Sequence, residues 1–337
     1  MRLLADNTNM KKVFSFLKPY LRWFILGGTL FFLLKAFTEH WQEVTAIRIT
    51  SHQWLILAIA FGVTLLAFVW SAWVWYLILR YFRQPAKPGW ALQVYLKTNI
   101  AKFIPGNVWH FYGRIWLVRE AGISLAAATL SVLLEPLLMA AAASVIALSG
   151  GLLGWLTPVD GLYSKLPILG LGVILLGVHP CILNPLVTWL NRLKANKPAS
   201  VSRKHRGAKN WHESVSNYES PREVEVLQLK GYPFIPLLGE LIFILLRAVG
   251  FIIIMAAITT VHREQIPILF GVFSFAWLLG LVVPTPGGLG VFETTAIALL
   301  DQYFSAGTIL TVVALSRLIS TSAEASVAGL AWLTEKI

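Results

Sequence analysis

The chain has 337 residues, a net charge of +12 from 28 Lys and Arg against 16 Asp and Glu, 57% hydrophobic residues, 13% charged residues and 14 Trp. A mean hydropathy of +0.69 is more apolar and aromatic material than the core of a soluble chain of this length can bury, so soluble globular and disordered classes are excluded and an all-α integral membrane protein is expected. The one cysteine, Cys181, excludes a disulfide framework and a thiolate metal site, and in a membrane chain the positive charge bears on topology before it bears on nucleic acid, which is not expected as a partner.

Taken in chain order, runs long enough to span about 30 Å of hydrocarbon cover residues 21–37, 54–79, 124–150, 166–187, 232–258 and 307–333. The first follows a basic N-terminus with no small-x-small cleavage site behind it, so it reads as a retained anchor. Two more apolar stretches, 89–118 and 266–300, are interrupted midway by "FIPGNVW" and "VVPTPGGLG", and each reads as a helix, a break and a second helix returning to the face it came from. The expectation is therefore about six spanning helices plus two Pro/Gly-broken re-entrant hairpins. Residues 191–230 form a polar linker whose basic run at Arg203, Lys204, His205 and Arg206 either contacts anionic headgroups or is simply solvated. It divides an N-terminal membrane half, 1–190, from a C-terminal half, 231–337. With this topology 22 of the 28 Lys and Arg fall on the face shared by the linker and both termini, which makes that face cytoplasmic by the positive-inside rule and points to the plasma membrane.

The two breaks, Pro105-Gly106 and Pro286-Gly287, lie 181 positions apart, and the same offset carries Glu135 onto Ser316, beside Arg317. Each half then has a span, a broken hairpin and a further span, with opposite orientations. Paired interruptions in inverted halves point to a transporter's binding site. Lipid cannot satisfy the backbone groups freed by Pro284, Pro286, Gly287, Gly288 and Gly290, so the break must be buried in protein or line a wet cavity. The helix resuming after Gly290 offers free N–H groups and a positive dipole end to a phosphate or carboxylate. Glu293, in its first turn, is either the cap of that helix or a charged gate or a counter-ion for a cationic headgroup. In "KTNIAKFIPGNVWHFYGRIW", Asn107 can cap a helix on which His110 and Arg114 share a face, with Lys97 and Lys102 approaching from the other limb. These cations either hold a lipid phosphate or snorkel to the interface. Within the spans Glu135, Glu240, Arg247, Arg317 and Glu324 need partners, and Glu240/Arg247 and Arg317/Glu324 are each seven apart on one helix face.

The succession "KFIPGNVWHFYGR", "REAGIS", a span with Glu135, "PTPGGLGVFE" and a last span with Arg317 resembles the membrane region of lysylphosphatidylglycerol synthases, a family of flippase-like proteins that includes associates of glycosyltransferases. The resemblance covers about residues 54–333. It implies a lipid-translocation fold with two re-entrant hairpins meeting near the midplane, and it maps the family's positions onto Pro105, Gly106, Arg114, Glu135, Pro286, Gly287, Gly288, Gly290, Glu293 and Arg317. Two positions depart from the pattern: PGN replaces PGG in the first hairpin, and Pro136 follows Glu135 where arginine is expected. No aminoacyl-transferase domain follows Ile337, so lipid lysylation is not expected. Nor does the sequence hold a Walker A, G-x-S-x-G or H-E-x-x-H motif or a convincing metal set, so neither an enzyme nor a cofactor is expected. Two functions stay open: a flippase or transporter of a phospholipid or polyprenyl-linked lipid, and an accessory subunit of a glycosyltransferase or lipid-modifying system. On the first reading a lipid is the substrate and a glycosyltransferase or lipid synthase a possible partner. Its phosphate is drawn in by Arg317 and the helix N-terminus after Gly290, while Glu293 keeps the empty site near neutral.

Overall fold

A computed structural model describes residues 50–103, 108–152, 166–185, 231–283 and 290–334, with the isolated positions 38 and 188. Nine helices of ten residues or more are present among the described residues, and no strand. They are α1 (Ser51–Tyr81), α2 (Pro88–Asn99), α3 (Trp109–Glu120), α4 (Leu125–Leu152), α5 (Leu166–Gly177), α6 (Phe234–Ile258), α7 (Gln265–Val282), α8 (Val291–Leu300) and α9 (Ala306–Leu333); a 3₁₀ turn, Ile100–Phe103, extends α2. Helices are what a spanning segment must form, because each satisfies its own backbone hydrogen bonds where lipid offers none.

Four of the expected spans are found as α1, α4, α6 and α9. The span expected over 21–37 and the linker 191–230 lie outside the described residues. The span expected over 166–187 is not one helix. After twelve residues, about 18 Å, α5 ends at Gly177. The chain turns at Val178 and His179 and becomes helical again at Pro180, where a residue without an N–H fits a first helical position but could not continue the ladder of α5. Among the described residues five helices are long and apolar enough to cross a membrane: α1, Leu125–Ser149 of α4, α6, α7 and α9. Helix α7 fills the limb expected before the "VVPTPGGLG" break, and its 18 residues rise about 27 Å.

The bundle is organised around the contact of α1 with α6, the most extensive among the described residues. Small residues on α1, among them Ala60, Thr64, Ala67 and Ser71, are buried and let the two backbones approach, as small residues do between membrane helices. At Gly239 the approach is closest. A Cβ there would lie 2.7 Å from Val74 Cγ2, and Trp70 Nε1 donates to the Gly239 carbonyl at 2.8 Å. Around this seam the helices answer each other. Shifting Leu125–Leu152 by 181 residues gives 306–333, the bounds of α9, and the same shift carries α1, α2 and α3 onto α6, α7 and α8 to within four residues at each end. Contacts correspond likewise: α4 packs on α7 as α9 packs on α2, and α9 packs on α1 as α4 packs on α6. The last long helix of each half thus packs against the first limb of the other half's broken segment.

Helix α3 is built inside out. Trp109, Tyr112 and Trp116 are about half exposed, while His110, Arg114 and Val118 are buried. The aromatic side faces the surroundings and the basic side faces protein, the reverse of a helix in water. Such an arrangement fits an element placed at or below the membrane interface, where Trp and Tyr are favoured.

Candidate functional site

Where α1, α2, α3, α4, α6, α7, α8 and α9 meet there is a cavity of about 460 Å³. Much of its wall is apolar, including Phe68, Phe243, Phe251 and Phe273, yet Lys102, Arg114, Glu135, Arg247, Arg317 and Glu324 also line it. Charges at this position need counter-charges, because a lone ion costs at least about 2.5 kcal/mol at the centre of a membrane helix.

Three ion pairs supply most of them. Arg114 is 1% exposed and Glu135 4%, and Arg114 Nη1 donates to Glu135 Oε2. The other carboxylate oxygen accepts from the Tyr95 hydroxyl at 2.5 Å, and Ser71 Oγ lies 2.6 Å from that hydroxyl. The Arg114 guanidinium also covers the Tyr95 ring at 4.0 Å, so α1, α2, α3 and α4 are joined through one polar chain. A second pair joins Lys102 Nζ to Glu324, whose same oxygen accepts from Asn99 Nδ2. The third joins Arg317 Nε to Glu293 Oε1 at 2.9 Å. Glu293 Oε2 accepts the Gly290 N–H at 2.6 Å. Gly290 has φ 82, a left-handed conformation that glycine adopts without strain. Glu293 therefore caps α8, one of the roles expected of it, and pairs with Arg317.

These contacts decide several sequence expectations. Arg114 does not snorkel, since it is buried against Glu135. The pairs seven residues apart do not form: Arg317 bonds Glu293, Glu324 bonds Lys102, and Arg247 bonds Ser320, because two helical turns separate such residues by about 10.5 Å along the axis. At the start of α8 the Glu293 carboxylate takes the Gly290 N–H, one of the backbone groups expected to face an anion. Helix α3 begins after Val108, with no side-chain capping bond at that position; Asn107, the expected cap, lies outside the described residues, as do Pro105, Gly106, Pro284, Pro286, Gly287 and Gly288. His110 is brought to the cavity wall beside Arg114, buried and with no hydrogen-bond partner at Nδ1 among the described residues. Lys102, Arg114, Glu135 and Arg317 all reach the cavity, and Glu293 is bonded to its edge through Arg317.

A family model described as the lysylphosphatidylglycerol synthase TM region matches residues 23–323. The chain belongs to this family. No curated protein matches it significantly. Within this lysylphosphatidylglycerol synthase membrane region, two further residues matter that the motifs did not single out as site residues. Arg247, from α6, lines the cavity and donates Nη2–H to Ser320 Oγ at 2.7 Å. Glu240, two turns earlier, is 0% exposed and neither carboxylate oxygen has a hydrogen-bond partner among the described residues; the charges acting on it are those of Glu135 and Arg114. Their one sequence signal was an ionisable residue in an apolar run, which marks a function without saying which wall the residue lines.

Proposed function

We propose that the protein carries a phospholipid or a polyprenyl-linked lipid across the plasma membrane, as a flippase or transporter and not as an enzyme. The observation that carries this reading is the charged cavity between the two sets of helices, set in a bundle whose outer faces expose Leu55, Ile59, Leu66, Ile235 and Leu238. Membership of a lipid-related membrane family supports it. On this reading the corresponding helices are inverted repeats, α2–α3 and α7–α8 are re-entrant hairpins, and the termini are cytoplasmic. Rocking of one half against the other opens the cavity to alternate sides while acyl chains stay in the bilayer. A lipid synthase or glycosyltransferase acts before or after it.

Purified protein in liposomes, with fluorescent-lipid exchange between leaflets followed by external quenching, tests the proposal. Wild-type protein is expected to accelerate exchange, Arg317→Ala to bring it near the protein-free background, and Arg317→Lys to keep part of it, because lysine retains the charge but not the planar fork. Exchange no faster than in protein-free liposomes, by a folded wild-type protein offered both lipid classes, sinks the transport reading.

A further inference from the structure

Arg247 differs from the other cations of the cavity. Lys102, Arg114 and Arg317 each have a carboxylate partner: Glu324, Glu135 and Glu293. Among the described residues Arg247 forms no ion pair. Its neutral contacts are Ser320 Oγ at 2.7 Å, the Phe68 ring at 5.1 Å and the Trp277 ring at 5.4 Å, and its Nε is buried without an acceptor. Four helices converge on it, with Phe68 from α1, Arg247 from α6, Trp277 from α7 and Ser320 from α9.

Aromatic faces and one hydroxyl offset only part of the cost of an arginine in this setting. The Glu324 carboxylate on the same wall is bonded to Lys102 and acts on Arg247 only through space, so the guanidinium keeps unused donors for an oxyanion, and its planar fork matches phosphate. The surrounding wall selects the source. Phe68, Phe251, Ile254, Phe273 and Leu281 line the same cavity, so a free inorganic anion would meet mainly apolar surface, whereas a lipid brings a phosphate for Arg247 and apolar material for the rest.

We propose that Arg247 binds the phosphate of a net-anionic lipid headgroup and makes the cavity selective for anionic over zwitterionic lipid. The inference rests on the lipid-carrying reading and deepens it. Wild-type, Arg247→Gln and Arg247→Lys proteins are equilibrated with vesicles of equal phosphatidylglycerol and phosphatidylcholine, recovered, and their bound lipid is quantified by mass spectrometry after a thermal melt has confirmed folding. Wild-type protein is expected to retain phosphatidylglycerol preferentially, and Arg247→Gln to lower that preference about tenfold, the effect of losing one charged hydrogen bond. Arg247→Lys should fall between them. Added inorganic phosphate should leave the bound lipid unchanged; its displacement by millimolar phosphate overturns the lipid assignment in favour of a small-anion site. Undiminished phosphatidylglycerol preference in folded Arg247→Gln, or in Arg247→Lys if only that variant folds, overturns the role of Arg247. Leaflet exchange separates the two readings. Arg247-dependent binding without exchange preserves this site and removes transport, whereas exchange that ignores Arg247 does the reverse.

Discussion

Arg114 and Glu135 show how a polar residue is tolerated inside this bundle. Each is almost fully buried, and Tyr95 and Ser71 extend the pair into a chain, so removing one member strands the other. Breaking a buried pair costs about 3–5 kcal/mol, whereas replacing both partners by apolar residues of similar size is often nearly neutral. Glu135→Leu and Arg114→Met alone should each lower the melting temperature in detergent sharply, and the double variant should recover most of the loss. Additive losses in the double variant would mean that the two residues are not coupled. Glu293 is a second instance with a different consequence. Because it caps α8 and pairs Arg317 at once, Glu293→Gln should weaken both the start of α8 and the placement of Arg317. Arg317→Ala strands the buried Glu293 carboxylate, whereas glutamine keeps an oxygen for the Gly290 N–H and leaves no buried charge, so Arg317→Ala should melt further below wild type than Glu293→Gln does in the same assay.

Among the elements, the α1–α6 seam carries the packing argument. Gly239 has no room for even one methyl group, with Val74 2.7 Å from where its Cβ would stand. Gly239→Ala should therefore destabilise the protein by about 1–3 kcal/mol, the usual cost of overpacking. Val74→Ala in the same chain should restore part of it by making space. A methyl group added at Gly329 would meet nothing within 4 Å, so Gly329→Ala, inside α9, should be neutral or slightly stabilising by helix propensity. Melting temperatures of the four proteins decide this, and an equal response at 239 and 329 would show that the seam is not tight.

For the whole molecule the correspondence of α1–α4 with α6–α9 makes a prediction about sidedness. Arg83 follows the end of α1 and His262 the end of α6. If the halves are inverted, these positions lie on opposite faces of the membrane. In a Cys181→Ser background, Arg83→Cys should be protected from an impermeant thiol reagent added outside intact cells, and His262→Cys should react. Labelling of both from one side removes the inversion.

Composition and periodicity alone determined that this is a helical membrane protein, where four of its long helices run, and that Glu135 and Arg317 lie within spans, because the apolar requirement of lipid is written locally into every span; that Arg114 is buried and not at the interface needed the packed structure. The correspondence of helix bounds was legible too, since the 181-residue offset read from two Pro-Gly breaks also relates them. What only the tertiary structure decided was pairing. Residues seven apart on one helix looked like partners, but the real partners come from other helices: Glu135 for Arg114, Glu293 for Arg317 and Lys102 for Glu324. The same holds for Arg247, which in sequence is one more intramembrane ion and in the fold is the cation of the cavity without an ion pair among the described residues. Electrostatic energy depends on distance through space, and along one chain that distance is fixed only after the helices have packed.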